Sequence, residues 1–71
     1  MTSAVDGDAE TEIQKQAVVA IGRRPKDEAI PILIRTARNH PKMPVRKTAI
    51  QVLGRTGDER AVAFFRELLS F

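Results

Sequence analysis

The sequence predicts an all-α fold, a fragment of an α-solenoid in which two antiparallel helical hairpins stack on each other. Apolar residues recur at the spacing of a helix face in four consecutive segments of the 71-residue chain. The chain also aligns with itself after a shift of 32 residues, and self-similarity at such a period is typical of stacked repeats. Because the chain has no cysteine for a disulfide framework, packing between helices must stabilise this short domain.

The N-terminal segment differs from the rest of the sequence. Residues 1–9 are acidic and poor in large apolar residues, so we expect a disordered leader ahead of a single repeat domain over residues 10–71. The first helix is expected at about residues 10–22, where Gly22 is a natural C-terminal stop. Its core-facing stripe is predicted to consist of Ile13, Ala17, Ala20 and Ile21.

The second helix is expected at about residues 27–39, with Asp27 as its N-cap. Pro31 fits this helix because it falls in the first turn or just past it, where backbone N–H groups have no intrahelical acceptor. The predicted core stripe consists of Ile30, Leu33, Ile34 and Ala37.

Prolines Pro41 and Pro44 interrupt the pattern before a third helix, expected at about residues 44–54 with Gly54 as its stop. Its predicted core residues are Val45, Ala49, Val52 and Leu53. Asp58 is then the expected N-cap of a fourth helix at about residues 58–70. The predicted core stripe of that helix is Val62, Phe65 and Leu69.

The two hairpins form repeat one, residues 10–41, and repeat two, residues 42–71. Identical residues recur in both copies: Lys15, Ala17, Gly22, Arg23 and Ala29 return as Lys47, Ala49, Gly54, Arg55 and Ala61. Apolar positions also match apolar positions, including Ile13 with Val45, Ile30 with Val62, and Leu33 with Phe65. One structural unit is therefore used twice.

The second copy resembles the short bacterial HEAT-like repeat found in phycobilisome-lyase-type proteins. The segment 49–65 contains an alanine, a leucine-glycine stop, a glycine-aspartate turn and a second amphipathic helix, and the apolar-basic pair Val45-Arg46 precedes it. Pro31 matches a proline often found early in the second helix of that repeat, whereas Ala63 replaces it in the second copy. The resemblance covers nearly the whole chain. It implies a binding fold in which the second helix of each hairpin lines a concave surface.

The sequence offers no set of residues for catalysis, metal binding or cofactor binding. Di-iron hydroxylases built on HEAT-like repeats use paired His-Glu motifs, whereas this chain has one histidine, His40, which we expect to be solvated in the loop between repeats. The acidic pairs Asp27-Glu28 and Asp58-Glu59 lie at equivalent helix starts and are interpreted as capping residues. We therefore predict that the protein is not an enzyme and has no cofactor.

Basic residues suggest an alternative function, the binding of a polyanion or nucleic acid. All twelve lysines and arginines follow Glu12, which gives a basic body behind an acidic leader. One predicted cluster near an edge of the domain consists of Arg23, Arg24, Lys26 and Arg55. Arg35, Arg38 and Arg66 lie on the second helices and are candidate partner-binding residues of the concave face. The three phenylalanines stand at apolar-pattern positions, so nucleic acid is the less favoured partner.

The fourth helix carries a second apolar stripe, Phe64, Leu68 and Phe71, on another side of the helix. The end helix of a solenoid normally turns a polar face outward. Two interpretations stay open. Either both stripes belong to a wide buried arc, or Phe64, Leu68 and Phe71 are candidate partner-binding residues that contact additional repeats or a second copy in a homodimer.

The predicted function is a non-catalytic protein-protein interaction scaffold or adaptor, which binds through the concave face or the apolar end of the fourth helix. A third alternative, an accessory subunit of a tetrapyrrole lyase, needs a chromophore partner that no residue identifies. Apolar runs are far shorter than the roughly 18 residues that span a bilayer, and no signal segment opens the chain, so we expect no membrane partner and a cytoplasmic location. A fold of this kind does not by itself name the partner.

Overall fold

The computed structural model describes the backbone of residues 2–70 and the side chains of residues 9–70. This part of the chain contains four α-helices and no strand: α1 (Thr2–Ile21), α2 (Lys26–Asn39), α3 (Met43–Thr56) and α4 (Glu59–Leu69). α3 packs against both α1 and α2, and α4 packs against α2 and α3. The fold is an all-α solenoid fragment of two stacked hairpins, which confirms the predicted fold class.

The core lies between the two hairpins. It consists of Val18, Ala29, Ile30, Leu33, Ala37, Val45, Ala49, Val52, Leu53, Ala61 and Phe64. The predicted stripes of α2 and α3 are therefore confirmed, with Ile34 packed at the core margin. Thr48 is the one buried polar side chain among the described residues, and its hydroxyl donates a hydrogen bond to the carbonyl of Pro44 at 2.9 Å. α2 and α3 supply most of the core because each has a helix of the other repeat against its apolar face.

α1 begins at Thr2, well before the predicted start at about residue 10. Its helical backbone extends through residues that the sequence analysis assigned to a disordered leader. Only Gly7 in that segment carries a large helix-propensity cost, about 1 kcal/mol relative to alanine, and no proline interrupts the segment. A segment without an apolar stripe gives no periodic signal, so the sequence places the helix start too late.

The end of α3 also differs from the prediction. The helix does not stop at Gly54 but continues to Thr56, where Gly57 adopts a left-handed conformation with φ 65° and ψ 14°. A residue without a Cβ adopts this conformation at little cost, so Gly57 is the true stop. Gly54 therefore lies inside a helix, and its lack of a side chain needs a different explanation.

The predicted N-cap of α4 is confirmed and that of α2 is wrong. Asp58 caps α4, since its Oδ1 accepts a hydrogen bond from the backbone N–H of Arg60 at 2.8 Å. Pro25, with φ −51°, holds the N-cap position of α2, and Asp27 lies within the first turn. Pro31 lies past that turn, so its missing N–H leaves the carbonyl of Asp27 without its usual helical donor.

Candidate functional site

A narrow groove runs between the second helices of the two hairpins, α2 and α4. Its cavity of about 190 Å³ is lined by Ile34, Arg38, Arg60, Ala63, Phe64 and Glu67. Arg38 donates a hydrogen bond to the carboxylate of Glu67, and its guanidinium carbon lies 5.3 Å from the centroid of the Phe64 ring. The charge of Arg38 is thus partly compensated within the chain.

The three arginines predicted on this concave face are not gathered in the groove. Arg38 lines it, whereas Arg35 and Arg66 are exposed on α2 and α4 without contributing to its lining. The groove therefore presents a mixed surface of paired charges over an aromatic floor rather than a basic channel.

Each of the two apolar stripes of α4 is divided between core and surface. Phe64, a candidate partner-binding residue, is only 3% exposed and belongs to the core together with Ala61. α4 packs on α2 and α3 through this side because the small side chain of Ala61 allows a close approach. Leu68 is 41% exposed, and Phe71 lies outside the described residues. Phe64 is therefore unavailable to a partner.

Val62, Phe65 and Leu69 form an exposed apolar surface, which we call the α4 strip. Spacings of three and four residues place them on one side of the helix. Val62 is 43% exposed and Leu69 is 80% exposed, so their predicted place in the core is wrong. Phe65, also predicted in the core, is half-buried and packs at the core margin. The equivalent residues of α2 are Ile30, Leu33 and Ala37, and all of them are buried.

A matching surface lies on α1, at the other end of the stack. Ile13, Ala17 and Ala20 are exposed, and we call them the α1 strip. Ile13 is 68% exposed, whereas the sequence analysis predicted these residues in the core. α1 instead buries Val18 and partly buries Ile21. The equivalents of the α1 strip in α3 are Val45, Ala49 and Val52, and all of them are buried.

Both strips are exposed for the same reason. In the middle of the stack, α3 of repeat two covers the apolar face of α2, and repeat one in turn covers the apolar face of α3. Within the part of the chain that the structure describes, no helix precedes α1 and none follows α4. The strips are the faces that a neighbouring repeat would cover. Periodicity alone does not identify them as exposed. The repeat alignment does carry a signal, because it pairs each strip residue with a residue that the other repeat buries.

Gly22 and Gly54 are equivalent residues with different surroundings. A Cβ atom on Gly22 would lie 2.3 Å from Cγ1 of Val52, so the packing of α3 against the end of α1 requires glycine there. At Gly54 the nearest atom outside its own helix backbone is Cε2 of Phe65, 4.0 Å from the Cβ position. Gly54 thus leaves an open notch beside the α4 strip.

Four basic residues line a cavity at the C-terminal ends of α1 and α3, in agreement with the predicted cluster. This basic cavity of about 510 Å³ is lined by Val19, Gly22, Arg23, Arg24, Lys26, Val52, Arg55 and Thr56. Arg24 pairs with Glu28 at 3.3 Å. Among the described residues, no carboxylate forms an ion pair with Arg23, Lys26 or Arg55. The edge therefore carries uncompensated positive charge.

Arg60 joins the start of α4 to the start of α2. Its guanidinium donates hydrogen bonds to Oδ1 and Oδ2 of Asp58 at 2.9 and 3.0 Å, and to Oδ1 of Asp27 at 3.2 Å. Hydrogen bonds from the side chain and the backbone N–H of Arg60 lower the pKa of Asp58 to about 2. The same pairing raises the pKa of Arg60. Asp58 is therefore an ionised structural carboxylate at neutral pH.

His40 closes the loop between the hairpins and is half-buried rather than solvated as predicted. The backbone N–H of His40 donates a hydrogen bond to the carbonyl of Thr36, and its imidazole Nδ1 accepts one from the backbone N–H of Lys42, both at 3.1 Å. Its own carbonyl accepts a hydrogen bond from Arg46 at 2.6 Å. These three bonds give His40 a structural role in the loop.

The described residues contain neither a cluster of metal-ligating side chains nor a membrane-spanning helix. No three His, Cys, Asp or Glu residues among them lie close enough to hold a metal ion. None of the described helices has the length and apolar character needed to cross a bilayer.

Comparison with protein-family models matches residues 1–70 to HEAT repeats. No curated protein and no solved structure matches this chain significantly. The family match covers nearly the whole chain and agrees with the two stacked hairpins and their equivalent glycines. The chain therefore belongs to the HEAT repeat family.

Proposed function

We propose that this chain is a non-catalytic protein-protein interaction module that binds an apolar helical face of its partner through the α4 strip. The observation that carries the proposal is the exposure of Val62 and Leu69, whose equivalents in α2, Ile30 and Ala37, are buried beside α3. An apolar surface at the end of a repeat stack lowers solubility unless another surface covers it.

The α4 strip has the chemistry of an interface centre. Burying a leucine side chain contributes about 1.5–3 kcal/mol, and Leu69 is largely exposed in the isolated chain. Phe65 packs at the core margin beside Gly54, and the exposed part of its ring adds an aromatic surface of the kind that is enriched at interface centres. A partner helix with apolar residues at spacings of three and four would fit this surface.

Arg35 and Arg66 are proposed as polar contacts around this centre. Both are exposed on the second helices, where a partner that covers the α4 strip or the adjacent groove could reach them. Charged residues at the rim of an interface contribute more to the rate and specificity of association than to affinity. Arg38 is less available because Glu67 and Phe64 already hold it.

Polyanion binding at the basic cavity is the second candidate function. The favouring observation is the grouping of Arg23, Lys26 and Arg55, none of which forms an ion pair with a carboxylate among the described residues. No aromatic side chain lines the cavity, and stacking on aromatic residues supplies much of the affinity for single-stranded nucleic acid. The apolar strip therefore supports protein binding better than the cavity supports polyanion binding.

Two finer predictions from the sequence accompany the proposal. They are the likeness to phycobilisome-lyase-type repeats and the bacterial cytoplasmic setting. Identification of the bound partner would test both.

Affinity capture from an extract of the source cell tests the proposed function. The baits are the wild-type chain, Leu69→Ser and the matched control Ile32→Ser, which also replaces an exposed apolar residue but lies outside both strips. We expect the wild type and Ile32→Ser to retain the same proteins and Leu69→Ser to lose them. Equal capture by all three baits would contradict the proposal.

The salt dependence of capture separates the two candidate functions. Binding through the α4 strip should change little between about 50 and 200 mM salt, whereas binding through phosphate contacts should fall steeply over that range. Steep salt dependence together with loss of binding in Arg23→Glu/Arg55→Glu would favour the polyanion alternative.

A further inference from the structure

We infer that the α4 strip accommodates the α1 strip of a second copy of this chain, so that copies stack head to tail. The inference rests on the proposed function, because it names the partner of the α4 strip. The two strips lie at opposite ends of the same stack: the α1 strip on the first helix and the α4 strip on the last described helix.

The junction between the repeats within one chain is the template for this contact. There, α3 packs on α1 and α2 and buries Val45, Ala49 and Val52. The equivalent residues of α1 are those of the exposed α1 strip. α1 of a second copy, placed on α3 and α4 of the first, would therefore repeat the internal junction one unit further along. The chain already builds this interface once.

Gly54 supplies independent support. In the internal junction, Cγ1 of Val52 fills the space beside Gly22. One repeat further along, Gly54 takes the place of Gly22, and Ala20 of the second copy takes the place of Val52. Glycine inside a helix is less favourable than alanine, and the only side chain of the described residues that reaches the Cβ position of Gly54 is Phe65, at 4.0 Å. A neighbouring helix that enters the notch accounts for a glycine that the isolated chain does not need.

One ion pair of the internal junction has an equivalent at the new junction, where the two positions again carry opposite charges. Nζ of Lys42 lies 3.1 Å from Oε1 of Glu10, and these two residues are themselves equivalent in the repeat alignment. Shifted by one repeat, Lys42 faces Glu10 of the second copy. The basic side chain thus meets an acidic one again, which favours this register of association.

A second internal ion pair does not transfer. Within the chain, Arg60 pairs with Asp27. One repeat further along, Glu28 of the second copy takes the place of Arg60, and Glu59 takes the place of Asp27. Two exposed carboxylates then face each other. Their repulsion opposes association and is screened by salt. Glu59→Gln should therefore tighten self-association, and this effect should fade at high ionic strength.

A head-to-tail contact uses different surfaces on the two copies, so it leaves one free strip at each end. Such a heterologous contact adds further copies unless its rotation closes a ring. We therefore expect the mass of the wild-type chain to rise with concentration beyond that of a dimer.

Sedimentation of complementary variants tests the inference. Ala17→Lys places a charge in the α1 strip, and Leu69→Lys places one in the α4 strip. Both positions are exposed, and lysine is a good helix former, so circular dichroism should match the wild type. Each variant alone should be monomeric. Their equimolar mixture should form a heterodimer, because each component brings one intact strip.

The same experiment can overturn the inference in two ways. A mixture that stays monomeric would exclude the head-to-tail contact. Self-association of Ala17→Lys alone would indicate a symmetric contact between two α4 strips instead. If the wild type is monomeric up to its solubility limit but still captures another protein through Leu69, the inference fails and the proposed function stands.

Discussion

Val52 fills the space beside Gly22 and thereby sets how closely α3 approaches the end of α1. A Cβ on Gly22 would lie only 2.3 Å from Cγ1 of Val52. Val52 is buried, and its β-branched side chain has one strongly preferred rotamer in a helix, so it cannot turn away freely. The absence of a side chain at Gly22 is therefore a packing requirement of the junction between repeats.

Gly22→Ala is expected to lower the free energy of unfolding by about 1–3 kcal/mol, because the added methyl group overpacks the junction. Urea unfolding followed by circular dichroism measures this loss. Val52→Ala in the same chain makes room for the methyl group, so the double variant should be more stable than the sum of the two single losses predicts. Additive losses would contradict the contact.

Gly54→Ala is the matched comparison and should have the opposite sign. Gly54 lies inside α3, where a Cβ would make only an ordinary contact with Phe65 at 4.0 Å, so alanine should raise the free energy of unfolding by up to about 1 kcal/mol through helix propensity. The measurement is urea unfolding at low protein concentration. If the copies stack head to tail, the same variant should weaken self-association in sedimentation experiments, because the methyl group narrows the notch. A loss of stability in Gly54→Ala would mean that a methyl group does not fit beside Phe65.

The sequence predicts the inner helices better than the outer ones for a geometric reason. In α2 the apolar residues around Ile30 and Leu33 form one stripe, so periodicity alone identifies the buried face. In α4 the adjacent residues Phe64 and Phe65 lie on different sides, and periodicity cannot tell which side the neighbour covers. The small residue Ala61 decides this, because it allows close approach on the side of Phe64.

The candidate site also has a part that local sequence predicts and a part that it does not. The basic cavity is predictable because Gly22-Arg23 and Gly54-Arg55 are equivalent in the repeat alignment, and both arginines line the cavity. The pairing of Arg38 with Glu67 joins residues far apart in sequence and depends on how α2 and α4 lie together, which no local pattern encodes. The sequence therefore overestimates the positive charge of the concave face.

Gln14→Met should stabilise the chain. The side-chain Oε1 of Gln14 is buried and has no hydrogen-bond partner among the described residues. An unsatisfied buried acceptor costs about 1–3 kcal/mol, and methionine keeps the length of the side chain without the polar atoms. We expect the melting temperature to rise by roughly 4–8 °C per kcal/mol gained. Gln16→Met, on the exposed side of α1, is the control and should leave the melting temperature unchanged.

The stability of the chain should depend on pH through Asp58. The hydrogen bonds from Arg60 lower the pKa of Asp58 from 3.8 to about 2 in the folded chain. The folded chain thus binds this proton less readily than the unfolded chain does, so ionised Asp58 stabilises the fold above about pH 4. That contribution is lost as the pH falls from about 4 towards 2.

Asp58→Asn isolates this effect because the amide oxygen can still accept the N–H of Arg60 but carries no charge. Urea unfolding of both proteins between about pH 5 and pH 2 should show the advantage of the wild type shrinking as the pH falls. An advantage that stays constant over this range would mean that the ion pair with Arg60 does not lower the pKa of Asp58.

Truncation of the two apolar stripes of α4 should separate core from surface. Phe64→Ala removes a buried ring that packs in the core and under Arg38, so it should cost about 3–5 kcal/mol. A domain of this size has a total stability of roughly 4–11 kcal/mol, so the variant should be largely destabilised in thermal unfolding. Leu69→Ala should change the stability by no more than about 0.5 kcal/mol, because Leu69 has few neighbours in the isolated chain. If the two variants were equally destabilised, Leu69 would belong to the core, and the α4 strip would no longer be free to bind a partner.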